Sequence, residues 1–382
     1  MKKLYTTLLL LILLNTNAWA VTYTLIDPNA TPATVAMYNK ITGYIAGNQT
    51  ALGQHIYNSD PVPSQDWYAI EGKYPLFQEW DWGDYSNGNY QSLSYMPANF
   101  TKDMQQLYAK GGIVGFFWAM NNWSSTCSNG CGYGDLTGST ATRILTGGAD
   151  RAIYLAQLQN LANWCNGPMA NVPMLFRPFH EGDGNSLWWG TSSTSDANYI
   201  LLWKDIVTTL EGMGVHNLIY VYAPQLRTGY TTYAGTRFPG NSYVDIFGID
   251  RYYGQQDSNV IANDVTAYDT TEVAAVAASK PYAIVEGYND QGASYNSTIW
   301  TTWMSAIQAD SEANKATYIM IWTSHNYGSQ SSWGPVLNRA DQSNFQSMIS
   351  GNSNLLQLAT FNWGFNMSIQ NGVTLKGKVQ LK

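Results

Sequence analysis

The chain has 382 residues, of which only 12% are charged, and its formal net charge is −7. No basic patch is available to hold a phosphate backbone, so the composition argues against a nucleic-acid partner. Aromatic residues make up 14% of the chain, including 15 Trp and 27 Tyr. We assign roughly half of them to packing and the rest to a cleft whose flat rings suit the C–H faces of sugars.

The first 20 residues have the three parts of a secretory signal peptide. Two lysines give a positive start, an apolar run extends through Leu14, and Ala18-Trp19-Ala20 forms a small-x-small cleavage site. We therefore expect residues 1–20 to be removed during export and the protein to be secreted, either extracellular or periplasmic. No later segment reaches the ~20 uninterrupted apolar residues that a membrane helix needs, so no membrane partner is expected after cleavage.

Along the rest of the chain, short apolar or β-branched runs bounded by turn residues alternate with longer stretches of helical spacing. Eight of these runs are predicted strands, at residues 52–57, 74–80, 113–118, 172–179, 217–222, 244–249, 282–285 and 318–322. Predicted helices between them include residues 150–165 and 199–213, the second followed by Gly214 as a stop signal. Apolar strands that alternate with helices indicate a parallel sheet covered by helices, and eight such units close into a barrel.

The predicted fold class is therefore α/β, a (β/α)8 TIM barrel formed by a single catalytic domain of residues 21–350. No internal repeat or low-complexity linker divides this stretch, and we expect a monomer. Residues 351–382 are predicted to form a short C-terminal β extension, because alternating apolar and polar residues follow Asn371-Gly372 as in a hairpin.

The densest group of charged residues follows the fourth predicted strand and contains Arg177, His180, Glu181 and Asp183. Taking these groups out of water is costly unless they are paired or working, which favours a cleft over a core. A second carboxylate, Glu286, directly follows the buried run of the seventh strand. Strands four and seven lie across the barrel mouth from each other, so Glu181 and Glu286 can face one another over a bound sugar, as glycoside cleavage requires.

Each glutamate also has a purely structural alternative as an ion-pair partner at a strand end. The partner would be Arg177 for Glu181, and Lys280 or Arg251 for Glu286. For an arbitrary glutamate this alternative is the commoner one, but two glutamates at matching barrel positions reverse the preference. The sequence therefore predicts Glu181 and Glu286 as a catalytic pair.

From about residue 52 to residue 322 the sequence resembles glycoside hydrolase family 26, whose best-known members are β-mannanases. A block of Arg, Pro, Phe, His and Glu followed by Trp-Trp-Gly is the most specific match. The matching segments are Gly111-Gly112-Ile113-Val114 with Trp118, Arg177-Pro178-Phe179-His180-Glu181 with Trp188-Trp189-Gly190, residues 199–203, Asn217-Leu218-Ile219-Tyr220, Val244-Asp245-Ile246 with Gly248-Ile249-Asp250, and Ile321-Trp322.

The resemblance implies a secreted, retaining endo-β-glycosidase that hydrolyses β-1,4-mannosidic bonds, with Glu181 as general acid/base and Glu286 as nucleophile. It further implies that His180 bonds the sugar or positions Glu181, and that Tyr252 bonds the nucleophile. Trp322 would form the floor of the sugar site, although a core-capping indole is the alternative. The remaining residues that we predict to bind substrate are Trp118, Arg177, Trp188 and Trp189.

Three positions depart from the family pattern and leave the choice of sugar open. Ala119 replaces the histidine that usually follows the strand-three Trp, Ser186 replaces a Trp five places past the acid/base, and Thr323 replaces an arginine after Trp322. Because other members of the family cut β-1,3-xylan or mixed-linkage β-glucan, both remain alternatives to mannan. A non-catalytic polysaccharide-binding protein is a further alternative, but it would not need both glutamates.

Other kinds of site have little support in the sequence. The four histidines are widely spaced with no His-Glu-x-x-His pattern, and no Gly-x-Ser-x-Gly elbow is present, so we predict no metal, no cofactor and no serine nucleophile. Of the three cysteines, Cys127 and Cys131 can close a small loop, but Cys165 is then left over and the pairing stays open.

Overall fold

The structure, a computed structural model, describes residues 22–56, 64–83, 96–226, 232–233, 235–252, 261–287, 298–323 and 334–359. The strands in these residues are β1 Thr50–His55, β2 Tyr74–Pro75, β3 Phe77–Asp81, β4 Ile113–Phe117, β5 Met174–Arg177, β6 Leu218–Tyr222, β7 Ile246–Asp250, β8 Tyr282–Glu286, β9 Tyr318–Ile321 and β10 Leu355–Leu358. The helices are α1 Pro32–Ala46, α2 Gln65–Glu71, α3 Met96–Ala109, α4 Thr140–Ile144, α5 Arg151–Asn166, α6 Asp196–Gly212, α7 Ile261–Ala277, α8 Ile299–Ala309 and α9 Gln342–Ser350.

Eight parallel strands close into a barrel, which confirms the predicted α/β fold. The order around the barrel is β1, β3, β4, β5, β6, β7, β8 and β9, and pairing of β9 with β1 completes the ring. Every residue of these eight strands is buried. A parallel strand that is packed on both faces has no solvent side, which is why strands such as β4 and β6 appear in the sequence as continuous apolar runs.

The predicted strand at 74–80 is divided between two partners. Its first part, β2, pairs antiparallel with β10, and its second part, β3, enters the barrel beside β1. Strand β10 also pairs with the start of β1, at Thr50 and Leu355. The predicted signal peptide and the hairpin after Asn371-Gly372 lie outside the described residues, and the domain boundaries stay a prediction.

Local capping explains where the flanking helices begin. Thr31 accepts a hydrogen bond from the Thr34 amide at 3.1 Å and precedes Pro32, the favoured residue at a first helical position. Ser195 caps α6 in the same way through the Asn198 amide. No helix among the described residues is long and apolar enough to cross a membrane.

A bulge in β8 determines where Glu286 points. Ile249 pairs with Ile284 but Asp250 pairs with Glu286, so Val285 is an extra residue on β8. Tyr282 faces the helical layer, where it lines a cavity with Ile45 of α1 and Ala275 of α7. Because side chains alternate along a strand, Glu286 would face that layer too without the bulge. The inserted residue turns Glu286 into the barrel mouth.

Candidate active site

A single buried guanidinium organises the carboxyl end of the barrel. Arg177, at the end of β5, is fully buried and lies 2.7 Å from Glu79, 2.8 Å from Asp250 and 2.5 Å from Glu286, measured between nitrogen and oxygen. Glu79 lies in the middle of β3, while Asp250 and Glu286 end β7 and β8. Burial opposes the charge on Arg177, but the three acids outweigh it and hold the pKa of Arg177 well above its usual value.

Two of the acids around Arg177 have pKa values shifted in opposite directions. Burial pushes the pKa of Glu79 upward, but Arg177 and His55 outweigh it, so the pKa of Glu79 lies below its usual value. For Asp250 burial outweighs the attraction of Arg177, and its neighbours Glu286 and Glu181 add to the effect, so its pKa is raised above its usual value. The same guanidinium therefore acts on two acids whose other surroundings differ.

Glu286 is held on both of its carboxylate oxygens. Tyr252 donates its phenolic proton to Oε2 at 2.5 Å, while Oε1 faces Arg177. Burial, and then the negative charge of Glu286, raise the pKa of Tyr252 well above normal, so the phenol keeps its proton and remains a donor. Donors of this kind stabilise an ionised carboxylate.

Glu181 sits in a tight turn after β5 rather than in the strand. Its φ is 52° and that of Phe179 is 47°, both in the left-handed region that L-residues rarely adopt. The Glu181 amide donates to the Ala223 carbonyl at 2.8 Å, and the Tyr199 hydroxyl donates to the Phe179 carbonyl at 2.7 Å. These long-range bonds hold a backbone conformation that is unfavourable in isolation, as is common at functional sites.

The surroundings of Glu181 favour its protonated form. Burial is the largest cause, the negative charge of Glu286 is the second, and together they raise the pKa of Glu181 to about 7 against an opposing hydrogen bond with Gln225. One carboxylate oxygen from each of Glu181, Asp250 and Glu286 lies within 4.8 Å of the others. The two predicted glutamates therefore lie close together. Glu181 has a raised pKa, and Glu286 contacts the Tyr252 hydroxyl and the Arg177 guanidinium.

A family model for glycosyl hydrolase family 26 matches residues 26–327 of the chain. The chain belongs to glycosyl hydrolase family 26. A mannan endo-1,4-beta-mannosidase from Bifidobacterium adolescentis is 30% identical over 264 residues, which cover 65% of this chain and 25% of that protein. One from Bacillus subtilis is 32% identical over 159 residues, covering 40% of this chain and 39% of the relative. The chain thus spans only a quarter to two fifths of these relatives.

Solved structures agree with the family 26 fold. The catalytic domain of an endo-beta-1,4-mannanase from Bacillus sp. JAMB-750 matches with a TM-score of 0.76 at 23% identity, covering 90% of this chain and 96% of that one. A beta-mannanase from Bacteroides ovatus matches with a TM-score of 0.75 at 22% identity, covering 90% and 100% of the two chains.

Two histidines and two other rings line one side of the family 26 site. The imidazole of His55 stacks on the indole of Trp322 with ring centroids 4.0 Å apart, and Phe117 contacts His55, Trp322 and His180. Burial, and then the positive charge of Arg177, lower the pKa of His180 well below normal. His180 is therefore a neutral imidazole that can donate or accept a hydrogen bond. Trp322 is partly exposed, and its place as the floor of a sugar site stays a prediction.

The other three predicted sugar-binding indoles are fully buried and contact protein. Trp118 packs edge-on against Trp82 and Trp123. Trp188 donates to the Met120 carbonyl at 2.7 Å, and Trp189 donates to the His180 carbonyl at 2.7 Å. Trp188 and Trp189 thus support the segment that carries Glu181, and direct contact with sugar stays a prediction for all three indoles.

The ion pairs considered for the glutamates are arranged differently from the sequence-based alternatives. The guanidinium of Arg177 bonds Glu286 and not Glu181, and its complete burial leaves its role as a direct sugar ligand a prediction. Lys280 donates to the Thr24 carbonyl, and Arg251 pairs with Asp264 at 2.8 Å. Neither of the two cations proposed for Glu286 is therefore its ionic partner.

No role in the site was predicted from the sequence for Glu79, Asp250 or His55. A signal was present, because Glu79 lies within the predicted strand 74–80 and Asp250 directly follows the strand 244–249, as Glu286 follows its own strand. Acidic residues at the ends of buried barrel strands indicate the site even when each one is unremarkable alone.

The three departures from the family pattern occupy different surroundings. The Ala119 amide donates to Asp81 at 3.0 Å, Ser186 is exposed, and Thr323 is buried with its carbonyl accepting from the Gly334 amide.

The structure gives the cysteine pairing that the sequence left open. Cys127 and Cys131 form a disulfide and Cys165 is a buried free thiol.

Proposed function

We propose that the protein is a secreted, retaining endo-β-1,4-mannanase in which Glu286 is the nucleophile and Glu181 the general acid/base. The observation that carries this is the pairing of two glutamates whose carboxylate oxygens approach within 4.8 Å in opposite environments. Retaining glycosidases hold their carboxyl groups about 5–5.5 Å apart, whereas inverting ones leave about 6.5–9.5 Å for a water. The short separation therefore supports double displacement.

In the first step Glu286 attacks the anomeric carbon while Glu181 gives its proton to the departing glycosidic oxygen. A pKa of about 7 keeps Glu181 protonated in mildly acidic to neutral solution. Tyr252 and Arg177 hold the Glu286 carboxylate in the position from which it attacks. A covalent glycosyl-enzyme and a shortened polysaccharide result.

In the second step Glu181 acts as a base. Forming the ester removes the charge of Glu286, which is the second cause of the raised pKa of Glu181. The pKa of Glu181 therefore falls, the group ionises, and it takes a proton from the water that hydrolyses the ester. One carboxylate thus serves both steps because the charge of its partner changes between them.

Mannan is the proposed substrate because the relatives described above are named as mannan endo-1,4-beta-mannosidases. Export is proposed from the signal peptide at residues 1–20, and the Cys127–Cys131 disulfide is consistent with an oxidising compartment. A monomer, with no cofactor and no resident metal, completes the proposal.

The experiment is reducing-end release by wild type and Glu286→Ala on β-mannan, galactomannan, β-1,3-xylan and mixed-linkage β-glucan. Release from the two mannans that vanishes in the variant supports the proposal, and a rapid fall in viscosity supports endo action. Release only from xylan or glucan would leave the proposed mechanism in place but reject mannan as the substrate. Ala119, Ser186 and Thr323 would then be residues that select a different sugar. Oligosaccharide binding without release from any substrate would indicate a binding protein instead.

A further inference from the structure

The segment between β4 and α4 is built as a rigid loop, here called the disulfide loop and defined as residues 122–138. Asn122 donates its side-chain amide to the carbonyls of Asp135 and Thr137 at 2.7 and 2.8 Å. The Asp135 carboxylate accepts the backbone amides of Asn129, Cys131 and Thr137 at 2.8 to 3.0 Å. With the Cys127–Cys131 bridge, these bonds fix the loop at both ends and across its middle.

Electrostatics supports the same conclusion. The Thr137 hydroxyl donates to Asp135 at 2.6 Å, and this bond, with the three backbone amides, lowers the pKa of Asp135 to about 2. Asp135 is therefore ionised at neutral pH, and its carboxylate accepts hydrogen bonds from three backbone amides and the Thr137 hydroxyl. A loop held in this way can present a side chain at little cost in conformational entropy.

The disulfide loop is attached to the segment that follows Glu181. The Trp188 amide donates to the Tyr133 carbonyl at 3.1 Å, and the Trp188 indole donates to Met120 just before the loop. A Cβ placed on Gly134 would lie 3.7 Å from the Ser186 carbonyl. The loop tip therefore lies against residues 182–190, at the end of the barrel where active sites are found.

At this contact the loop carries an exposed tyrosine. Tyr133 is 51% exposed, and no other aromatic side chain among the described residues is as exposed. Single exposed apolar residues are common, but this one is on a rigid support beside Ser186, which is itself exposed and offers no ring.

We propose that the Tyr133 ring stacks on a sugar in the leaving-group part of the polysaccharide. Tyr133 lies near Ser186, whose side chain has no ring. The inference rests on the proposed function and deepens it. Glu181 protonates the leaving group, so the segment that runs on from Glu181, with the loop bonded to it, lies beside the sugars that depart. A flat phenol ring with a polar edge suits a pyranose face and its hydroxyl groups.

The test compares Tyr133→Ala, Tyr133→Trp and the same-loop control Leu136→Ala, whose parent residue is 40% exposed. Each is assayed on mannohexaose and on an aryl β-mannobioside, whose leaving group carries no sugar. Tyr133→Ala should lower kcat/KM on mannohexaose roughly tenfold, the effect of about 1.4 kcal/mol of lost contact. It should leave the aryl substrate unchanged, while Tyr133→Trp and Leu136→Ala should retain wild-type kcat/KM on both.

Two outcomes would overturn the inference. The first is an unchanged kcat/KM on mannohexaose in Tyr133→Ala, and the second is an equal loss on both substrates. Thermal melting of each variant separates these outcomes from unfolding, and Tyr133→Phe, which keeps the ring, must retain activity. If wild type cleaves neither substrate, the proposed function fails, whereas wild-type cleavage that is insensitive to Tyr133→Ala rejects this inference alone.

Discussion

Glu181 and Glu286 are the same residue type at the same end of one barrel, yet their surroundings differ in kind. Glu286 ends a strand, is buried, and is bonded by Tyr252 and Arg177. Glu181 lies in a left-handed turn beyond a strand, is partly exposed, and has a pKa raised to about 7. The supports differ as well, since β7 and β8 fix one side while backbone hydrogen bonds from distant segments fix the other.

The difference fits the two roles proposed for these glutamates. A strand end gives a precise, preorganised position that suits a group which must attack along one line. A turn with burial and a negative neighbour gives a pKa near neutrality, which suits a group that must give and take a proton. A variant that alters the surroundings of one glutamate therefore leaves the other as the reference.

Removing Glu286 should have the largest effect, because no other described carboxylate is placed to form the covalent intermediate. We expect Glu286→Ala to lose about 10⁴-fold or more in kcat on mannan. The matched control is Glu211→Ala, a glutamate on α6 outside the site, which should keep wild-type kcat. Activity within tenfold of wild type in Glu286→Ala would reject Glu286 as nucleophile.

Removing Glu181 should have a smaller effect that depends on the leaving group. On mannan we expect Glu181→Ala to lose about 10²–10⁴-fold, the usual contribution of a general acid. With a dinitrophenyl mannobioside the first step needs no proton donor, so a burst of dinitrophenol should precede slow turnover. Added azide should restore the second step. An equal loss on both substrates, with no burst, would count against Glu181 as the acid.

Removing the guanidinium of Arg177, which contacts Glu286 and two other acids, should destabilise the fold. Arg177→Met leaves Glu79 and Glu286 buried beside each other without a cation, so we expect the free energy of unfolding to fall by about 3–5 kcal/mol. The control is Arg151→Met, whose bidentate pair with Asp205 is partly exposed and should contribute about 1 kcal/mol or less. Equal losses in urea titrations of the two variants would refute the central role given to Arg177.

The smallest expected effect is the pH dependence of the free energy of unfolding that the raised pKa of Glu181 causes. The folded pKa of about 7 lies above the ordinary glutamate pKa of 4.5, so the folded state binds the proton more tightly than the unfolded state. This group alone therefore makes the free energy of unfolding fall as pH rises from about 4.5 to 7. Glu181→Gln should remove that dependence and melt at a higher temperature than wild type at pH 8, with little difference at pH 4.5. A difference that grows toward low pH would contradict the raised pKa.

Much of the barrel was predictable from the sequence because its signals are local. A strand buried on both faces is often a continuous apolar run, and β4 or β6 can be recognised from five residues without knowing their neighbours. The closeness of the two glutamates was predictable for a related reason. Each follows a predicted strand, and the carboxyl ends of parallel strands meet at the mouth of the barrel.

What the sequence did not predict depends on contacts between distant segments. The bulge at Val285 becomes visible only through pairing with β7, since a run of five apolar and acidic residues has no mark of an inserted one. Burial of Trp188 likewise depends on the Met120 carbonyl, 68 positions earlier in the chain. The sharing of Arg177 among three acids requires residues of four strands to meet, which no single motif encodes.

The most direct test of the two assigned roles is to trap the covalent intermediate with a 2-deoxy-2-fluoro mannosyl substrate bearing a good leaving group. Peptide mass spectrometry then identifies the labelled glutamate. We predict a single label on Glu286, because that carboxylate is held in place at a strand end by Tyr252 and Arg177. A label on Glu181, or turnover to an inverted product with no covalent adduct, would contradict the assignment.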